Sequence, residues 1–238
     1  MEELSQSVLK PHDLASLFDS MIDEKYTIIK ISDAFPNLAI GSDLDIFCQD
    51  PQRSVQIILN FLNRFVDNAH SVEITKIPGK IKVDFCRSSQ IILRFDIYIQ
   101  LPLYTHLNLR TSYFDVIIEN SILREMSGVN VKVPSIEDDL ILRYIEYIEY
   151  FSVVPDKIKH VDYICQKFQN DIKLRSLFFQ KLHYYVKAPE IVTPKQTYAY
   201  RFKRSAKYAL SLCSKAIYVY KHYGMFSLVQ KVRERYKS

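Results

Sequence analysis

Glycine is nearly missing from this sequence. The four that occur, Gly41, Gly79, Gly128 and Gly224, stand far apart. A Rossmann G-x-G-x-x-G turn and a Walker P-loop both need clustered glycines, so neither is encoded here. A nucleotide, if one binds, is held by another route. Cysteine is also scarce. Cys48, Cys86, Cys165 and Cys213 are scattered and form no C-x-x-C pair. That spacing argues against a zinc site or a disulfide framework and for a reducing cytoplasm. Cys48 and Cys86 are expected as neighbouring buried thiols in a sheet, where a free thiol behaves as a small apolar group. No apolar run approaches the roughly 18 residues that a membrane span requires. The opening Met-Glu-Glu-Leu-Ser-Gln is acidic and polar, unlike a secretory signal.

Acids are missing from one region. From Lys195 onward eleven lysines and arginines face one acid, Glu234, a net charge of +10. The chain as a whole carries +5, so its first 194 residues carry −5. Such a split points to an anionic partner for the tail.

What is present is a chain of 238 residues with 48% apolar side chains, enough for one large or two small domains with a real core. Its most informative stretch is Leu38-Ala39-Ile40-Gly41-Ser42-Asp43-Leu44-Asp45-Ile46-Phe47. Alternate residues of a strand share a face, so Asp43 and Asp45 are expected side by side, with Leu44 and Ile46 packed behind them. Adjacent carboxylates repel, and a hard cation such as Mg²⁺ relieves that repulsion. A strand with one solvated face carries the same pattern.

Around this stretch the order of elements reads as mixed α/β. An amphipathic helix is expected over about 3–24, and a strand over Tyr26–Ser32. Asp50-Pro51 opens a helix whose apolar stripe is Val55, Ile58, Leu59, Leu62 and Phe65 or Val66. Strands follow at about 71–76, 80–86 and 91–99. The last two form a hairpin around Arg87-Ser88-Ser89. An odd-numbered loop there pairs odd residues with odd, gathering Ile81, Val83, Phe85, Ile91, Leu93, Phe95, Ile97 and Ile99 on one face. Asp84 and Asp96 then join Asp43 and Asp45 on the other.

Residues 101–120 read as loop or irregular structure that includes Tyr104, His106, Arg110 and Tyr113. A small hairpin is expected around Ser127-Gly128. Ser135-x-x-Asp138 resembles a capping box at the start of a helix running to about Phe151. Two further helices, about 156–170 and 171–186, complete an all-helical half. The expected division is residues 1–133, mixed α/β, and residues 134–238, helical.

These features resemble the polymerase-β-like nucleotidyltransferase superfamily, over residues 20–170. Its members carry an h-G-[GS] strand end, a D-h-D strand and a third carboxylate in an h-D-h strand. Here these are Ser32, eleven residues before the first aspartate, then Ser42-Asp43-Leu44-Asp45, then Phe95-Asp96-Ile97. Val131-Lys132-Val133-Pro134-Ser135-Ile136-Glu137-Asp138-Asp139-Leu140 resembles the start of the helical domain in small bacterial members. Lys157-Ile158-Lys159-His160-Val161-Asp162 resembles a basic helix of that domain. One residue departs: Ile31, preceded by Lys30, stands where the family has glycine.

The resemblance implies an α+β fold, a nucleotidyltransferase palm followed by a helical domain. It implies an enzyme using two Mg²⁺ or Mn²⁺ ions about 4 Å apart. Asp43 and Asp45 would bridge the metals. Asp96 would hold the nucleophile-side metal and act as general base, with Asp84 in reserve. Ser32, Ser42 and Lys159 would contact the phosphates of an NTP such as ATP. The acceptor would be a hydroxyl or phosphate on a sugar, glycan intermediate or small molecule. The Ile31 departure keeps two alternatives open: a two-metal phosphotransferase with another phosphoryl donor, or a silent fold acting as a binding module.

The tail is expected to be an amphipathic helix. Lys203, Arg204, Lys207, Lys215 and Lys221 lie on one side, and Phe202, Ala206, Leu210, Cys213, Ile217 and Tyr220 on the other. Its apolar side could pack on the protein, with the lysines solvated. It could instead dock a cytoplasmic protein at an anionic membrane surface or lipid-linked acceptor. Nucleic acid is the third reading, disfavoured by the acidity of the rest of the chain.

Overall fold

The computed structural model describes residues 11–32, 34–102, 104, 107–150, 154 and 157–187, and the single positions 213, 217, 220, 225 and 229. The fold is α+β. A five-stranded mixed sheet has the order β1-β2-β5-β4-β3, with β1 Tyr26–Ile29, β2 Ser42–Cys48, β3 His70–Ile77, β4 Lys80–Arg87 and β5 Gln90–Tyr98. Only β2 and β5 run parallel among neighbours in this sheet. Their crossover contains α2, Pro51–Leu62.

One face of the sheet buries Ile28, Leu44, Ile46, Val83, Phe85, Phe95 and Ile97. Three elements cover it: α1 (Pro11–Ser20), α2, and the hairpin of β7 (Ile122–Met126) and β8 (Val129–Val133). Alternation sends Ile29, Asp43, Asp45, Phe47, Asp84, Arg94, Asp96 and Tyr98 to the opposite face. Ile29 and Phe47 there enter a second core with α3 (Tyr113–Glu119), α4 (Ile136–Tyr150), α5 (Ile158–Asn170) and α6 (Ile172–Tyr185). A two-stranded ladder ties the end of α6 back across residue 133: β6, Asn108–Leu109, pairs with β9, Val186–Lys187.

Several local expectations are corrected. The strand from Tyr26 stops at Ile29 rather than Ser32, because Lys30 adopts a left-handed φ of 54° that no strand continues through. In α2 the buried stripe is Ser54, Ile57, Ile58, Phe61 and Leu62, while Val66 is exposed. The helix is rotated so that Ile57 and Phe61 reach the sheet. Its start is as read, with Asp50 accepting from the Arg53 amide at 2.9 Å and Pro51 in the first turn.

The β4–β5 hairpin turns at Ser88-Ser89, both with positive φ. This is a two-residue connection, which alone would pair odd with even. An irregularity between Phe85 and Cys86 restores Ile81↔Ile97, Val83↔Phe95 and Phe85↔Leu93. Cys48 and Cys86 are both buried and free but are not neighbours, since β5 lies between their strands. Residues 113–119, expected as irregular, form the two-turn helix α3; its Tyr113, Phe114, Ile117 and Ile118 are buried at helical spacing. Half of the expected box forms: the Ser135 hydroxyl accepts from the Asp138 amide at 3.3 Å, but the Asp138 carboxylate takes the Ser135 hydroxyl, at 2.9 Å, instead of the Ser135 amide. Of the helix expected over about 3–24, the part before Pro11 lies outside the described residues, as does His106, and the described part ends at Ser20.

Candidate active site

Register builds the site. In the parallel β2–β5 pair Asp45 stands opposite Asp96, and Asp43 opposite Arg94. On the far side of β5, β4 sets Asp84 against Arg94 and Lys82 against Asp96. The two rows therefore read Asp43–Arg94–Asp84 and Asp45–Asp96–Lys82. Asp43, Asp45 and Asp96 each offer an oxygen, all within 4.8 Å of one another.

The fourth carboxylate is engaged elsewhere. Arg94 grips Asp84 at both oxygens, Nε to Oδ1 at 2.6 Å and Nη2 to Oδ2 at 2.8 Å. A bidentate pair of this kind occupies the carboxylate, and the Arg94 guanidinium separates Asp84 from Asp43. The same contact raises the Arg94 pKa.

Asp96 is 5% exposed. Lys80 Nζ binds its Oδ2 and lies 3.3 Å from the Tyr98 hydroxyl, while its Oδ1 is buried with no hydrogen-bond partner. A buried carboxylate oxygen left unsatisfied is costly. Asp43 is exposed and Asp45 half-buried. Three carboxylates with convergent oxygens, one residue of which also holds a buried unsatisfied oxygen, suit a hard divalent cation such as Mg²⁺ or Mn²⁺.

A second charge cluster adjoins the first. Lys30 Nζ is 2.9 Å from Asp45 Oδ2 and 3.3 Å from Glu146 Oε1 on α4. Glu146 also receives Lys157 Nζ at 3.2 Å, and His160 Nε2 lies 3.1 Å from its second oxygen. Burial alone would raise the Glu146 pKa. His160, Lys30 and Lys157 outweigh it and hold the carboxyl well below the usual range. Burial disfavours the Lys30 ammonium, but Asp45 and Glu146 reverse the balance and raise its pKa. Tyr98 and Tyr104 are pushed up, first by burial and then by neighbouring groups that include Asp45. Lys82 is pulled down by burial and by Arg94.

The other expected site residues are placed as follows. Ser42 starts β2, half-buried, one residue before Asp43. Ser32 is exposed, and its hydroxyl accepts from the Ala34 amide at 3.2 Å, closing a turn. Lys159 is exposed on α5, whereas Lys157 two residues earlier reaches Glu146. His160 is buried against the same carboxylate. Sequence reasoning did not single out Lys80, Glu146 or Lys157. Glu146 lies on α4, whereas Lys157 and His160 follow the break before α5, so no periodicity within one element links them. Ile31 is half-buried against the sheet core.

No protein-family model matches the chain, and no curated protein matches it in sequence. Solved structures do. The Helicobacter pylori protein JHP933 aligns over 92% of this chain and 100% of its own, at 11% identity and a TM-score of 0.34. An antigenic nucleotidyltransferase-like protein from Paracoccidioides brasiliensis aligns over 76% and 90%, at 12% identity and a TM-score of 0.38. The Megavirus polyadenylate synthase aligns over 86% of this chain but 51% of its own, at 12% identity and 0.32. This chain is similar to nucleotidyltransferase-like proteins. Identities and scores at this level leave the functional reading to the geometry of the carboxylates.

Proposed function

We propose that the chain is a metal-dependent nucleotidyltransferase that moves an NMP from an NTP to a hydroxyl or phosphate acceptor. The observation that carries this reading is the convergence of Asp43, Asp45 and Asp96 from two parallel strands, with Asp96 Oδ1 buried and unsatisfied. These three residues would hold Mg²⁺ or Mn²⁺, which when bound activates an acceptor hydroxyl and neutralises donor phosphate charge.

The chain's own groups divide the remaining work. Asp96, nearly buried, is suited to accept the acceptor's proton. Lys30, Lys80 and Lys157 offset the charge of Asp45, Asp96 and Glu146, which lowers the repulsion an anionic donor would meet. Ser42 starts β2 on the face of Leu44 by strand alternation, opposite to the three carboxylates, so a phosphate contact from it would use its backbone amide rather than its hydroxyl. The catalytic unit in this reading is residues 1–133, and the helical half, 134–238, supplies Glu146 and Lys157.

Calorimetric titration of each Mg²⁺–NTP into wild type and Asp45→Asn tests the reading. One NTP is expected to bind only with metal, and only to wild type. Binding of no NTP would overturn it and leave transfer from another phosphoryl donor. Asp96→Asn should abolish metal-dependent activity, whereas Asp84→Asn should retain it. Loss with Asp84→Asn alone would refute the assignment of the third carboxylate.

A second observation concerns the tail. Cys213, Ile217, Tyr220, Met225 and Val229 are helical and exposed, with Ile217 56% and Tyr220 52% accessible. The five lysines and arginines expected on the other side lie outside the described residues, as do Phe202, Ala206 and Leu210. Exposed apolar positions in a strongly cationic segment favour docking of a cytoplasmic protein at an anionic membrane surface, or on a lipid-linked acceptor. Among the described residues no helix is long and apolar enough to cross a membrane. Pelleting with anionic vesicles should fall when residues 195–238 are deleted. Undiminished pelleting would refute the docking role.

A further inference from the structure

The proposed metal site already contains a fixed cation. We propose that the Lys30 ammonium serves as one of the two positive centres at Asp45, so that Asp43, Asp45 and Asp96 take up a single divalent ion rather than two. The inference rests on the metal-dependent reading above and deepens it.

Three observations carry it. The first is position. Lys30 Nζ lies 2.9 Å from Asp45 Oδ2, a direct contact with one of the three clustered carboxylates. The second is anchoring. Glu146 holds the same ammonium from the other side at 3.3 Å, and is itself fixed by Lys157 at 3.2 Å. A lysine on a free stem swings aside at little cost, but one clamped between two carboxylates from β2 and α4 is part of the site's framework. The third is the backbone. Lys30 holds φ at 54°, a conformation rare for a side chain of this kind. Such backbone settings persist only where surrounding contacts hold them, and they concentrate at functional sites.

Charge counting points the same way. Asp43, Asp45 and Asp96 contribute three negative charges, and Lys30 and Lys80 return two positive ones directly to Asp45 and Asp96. One dication takes the net −1 to +1. A second would take it to +3, with a dication forced close to a clamped ammonium. Lys82 on the same face adds to that repulsion, whereas Arg94 is balanced by Asp84. Lys80 does not play the Lys30 part, because it binds Asp96 Oδ2 and leaves Oδ1 without a partner.

The test is the number of Mn²⁺ ions bound per chain, read from the free-ion electron paramagnetic resonance signal and by calorimetry with Mn²⁺ alone. Wild type is expected to bind one, with any second ion at least tenfold weaker. Lys30→Gly removes the ammonium with a residue that suits the left-handed backbone, and is expected to bind two. Lys30→Gln provides a second neutral variant should the glycine chain not fold. Lys30→Arg is expected to stay at one. Two comparable sites in wild type, or one site in both neutral variants, would overturn the inference and leave the metal-dependent reading standing. No Mn²⁺ bound by wild type, or undiminished binding by Asp45→Asn, would overturn both.

Discussion

Replacing Glu146 by glutamine tests the hub that joins α4 to the sheet. The carboxylate side chain is 17% exposed and meets Lys30, Lys157 and His160 within 3.3 Å. Removing one partner of a buried ion pair costs roughly 3–5 kcal/mol, because the other charge is left uncompensated. Lys30 keeps Asp45, and Lys157 and Lys30 are each about a quarter exposed, 23% and 24%, so solvent recovers part of that. The expected loss at pH 7 is about 2–3 kcal/mol, read as a shift in urea midpoint at unchanged slope.

The pH dependence has a definite sign. The folded-state pKa of Glu146 lies below its ordinary 4.5, so its stabilisation is complete above that value and is lost as pH falls. Below about pH 4.5 the gap between wild type and Glu146→Gln should close by about 1.4 kcal/mol per pH unit. A gap below about 0.5 kcal/mol at pH 7, on the scale of an exposed pair, or one that does not change between pH 6 and pH 3.5, would refute the hub.

Three further outcomes follow from other parts of the fold. Asp138 is fully buried and takes Tyr113 at 2.8 Å, Lys181 at 2.7 Å and the Ser135 hydroxyl; Asp138→Ala should cost about 3–5 kcal/mol in chemical denaturation. Cys48 and Tyr26 face each other in the β1–β2 ladder, with pKa values pushed by burial to about 11 and about 12. Both are raised, so their neutral forms stabilise the fold below the ordinary values of 9.0 and 10.0. Stability should therefore fall from about pH 9 toward pH 12, and Cys48→Ala should remove the earlier part of that fall in denaturant midpoints. Phe47 packs with ring centroids 5.0 Å from Phe114 and 5.5 Å from Tyr98; Phe47→Ala should cost about 3–5 kcal/mol and Phe47→Leu under about 1.5.

The carboxylate pair was legible because it depends only on strand alternation. Asp43 and Asp45 share a face in any strand that buries Leu44 and Ile46, and the odd-numbered apolar run from Ile81 to Ile97 put Asp84 and Asp96 on the polar side for the same reason. The odd-with-odd pairing holds from Ile81 to Phe85 although the hairpin loop has two residues; beside the turn Cys86 pairs with Ile91 and Arg87 with Gln90, and Ile92 rather than Ile91 joins the core. The apolar faces demanded the odd pairing, and the irregularity after Phe85 supplied the extra residue. Helix ends at Asp50, Ser135 and Asp171 were legible because a capping side chain and its amide are close in sequence.

Two kinds of feature were decided only by tertiary structure. One is strand order. Nothing local says that β5 lies beside β2, and that placement sets Asp96 against Asp45 and leaves Asp84 behind Arg94. The other is the set of cations that reach those carboxylates. Lys30 depends on a left-handed backbone step, and the Glu146 that anchors it, with Lys157 behind, lies more than 100 residues further along the chain. Side-chain periodicity is a property of one element and can be read within it. Charge pairing between elements is a property of how they pack, so the sequence determined which face carries the acids and the packing determined which cations they meet.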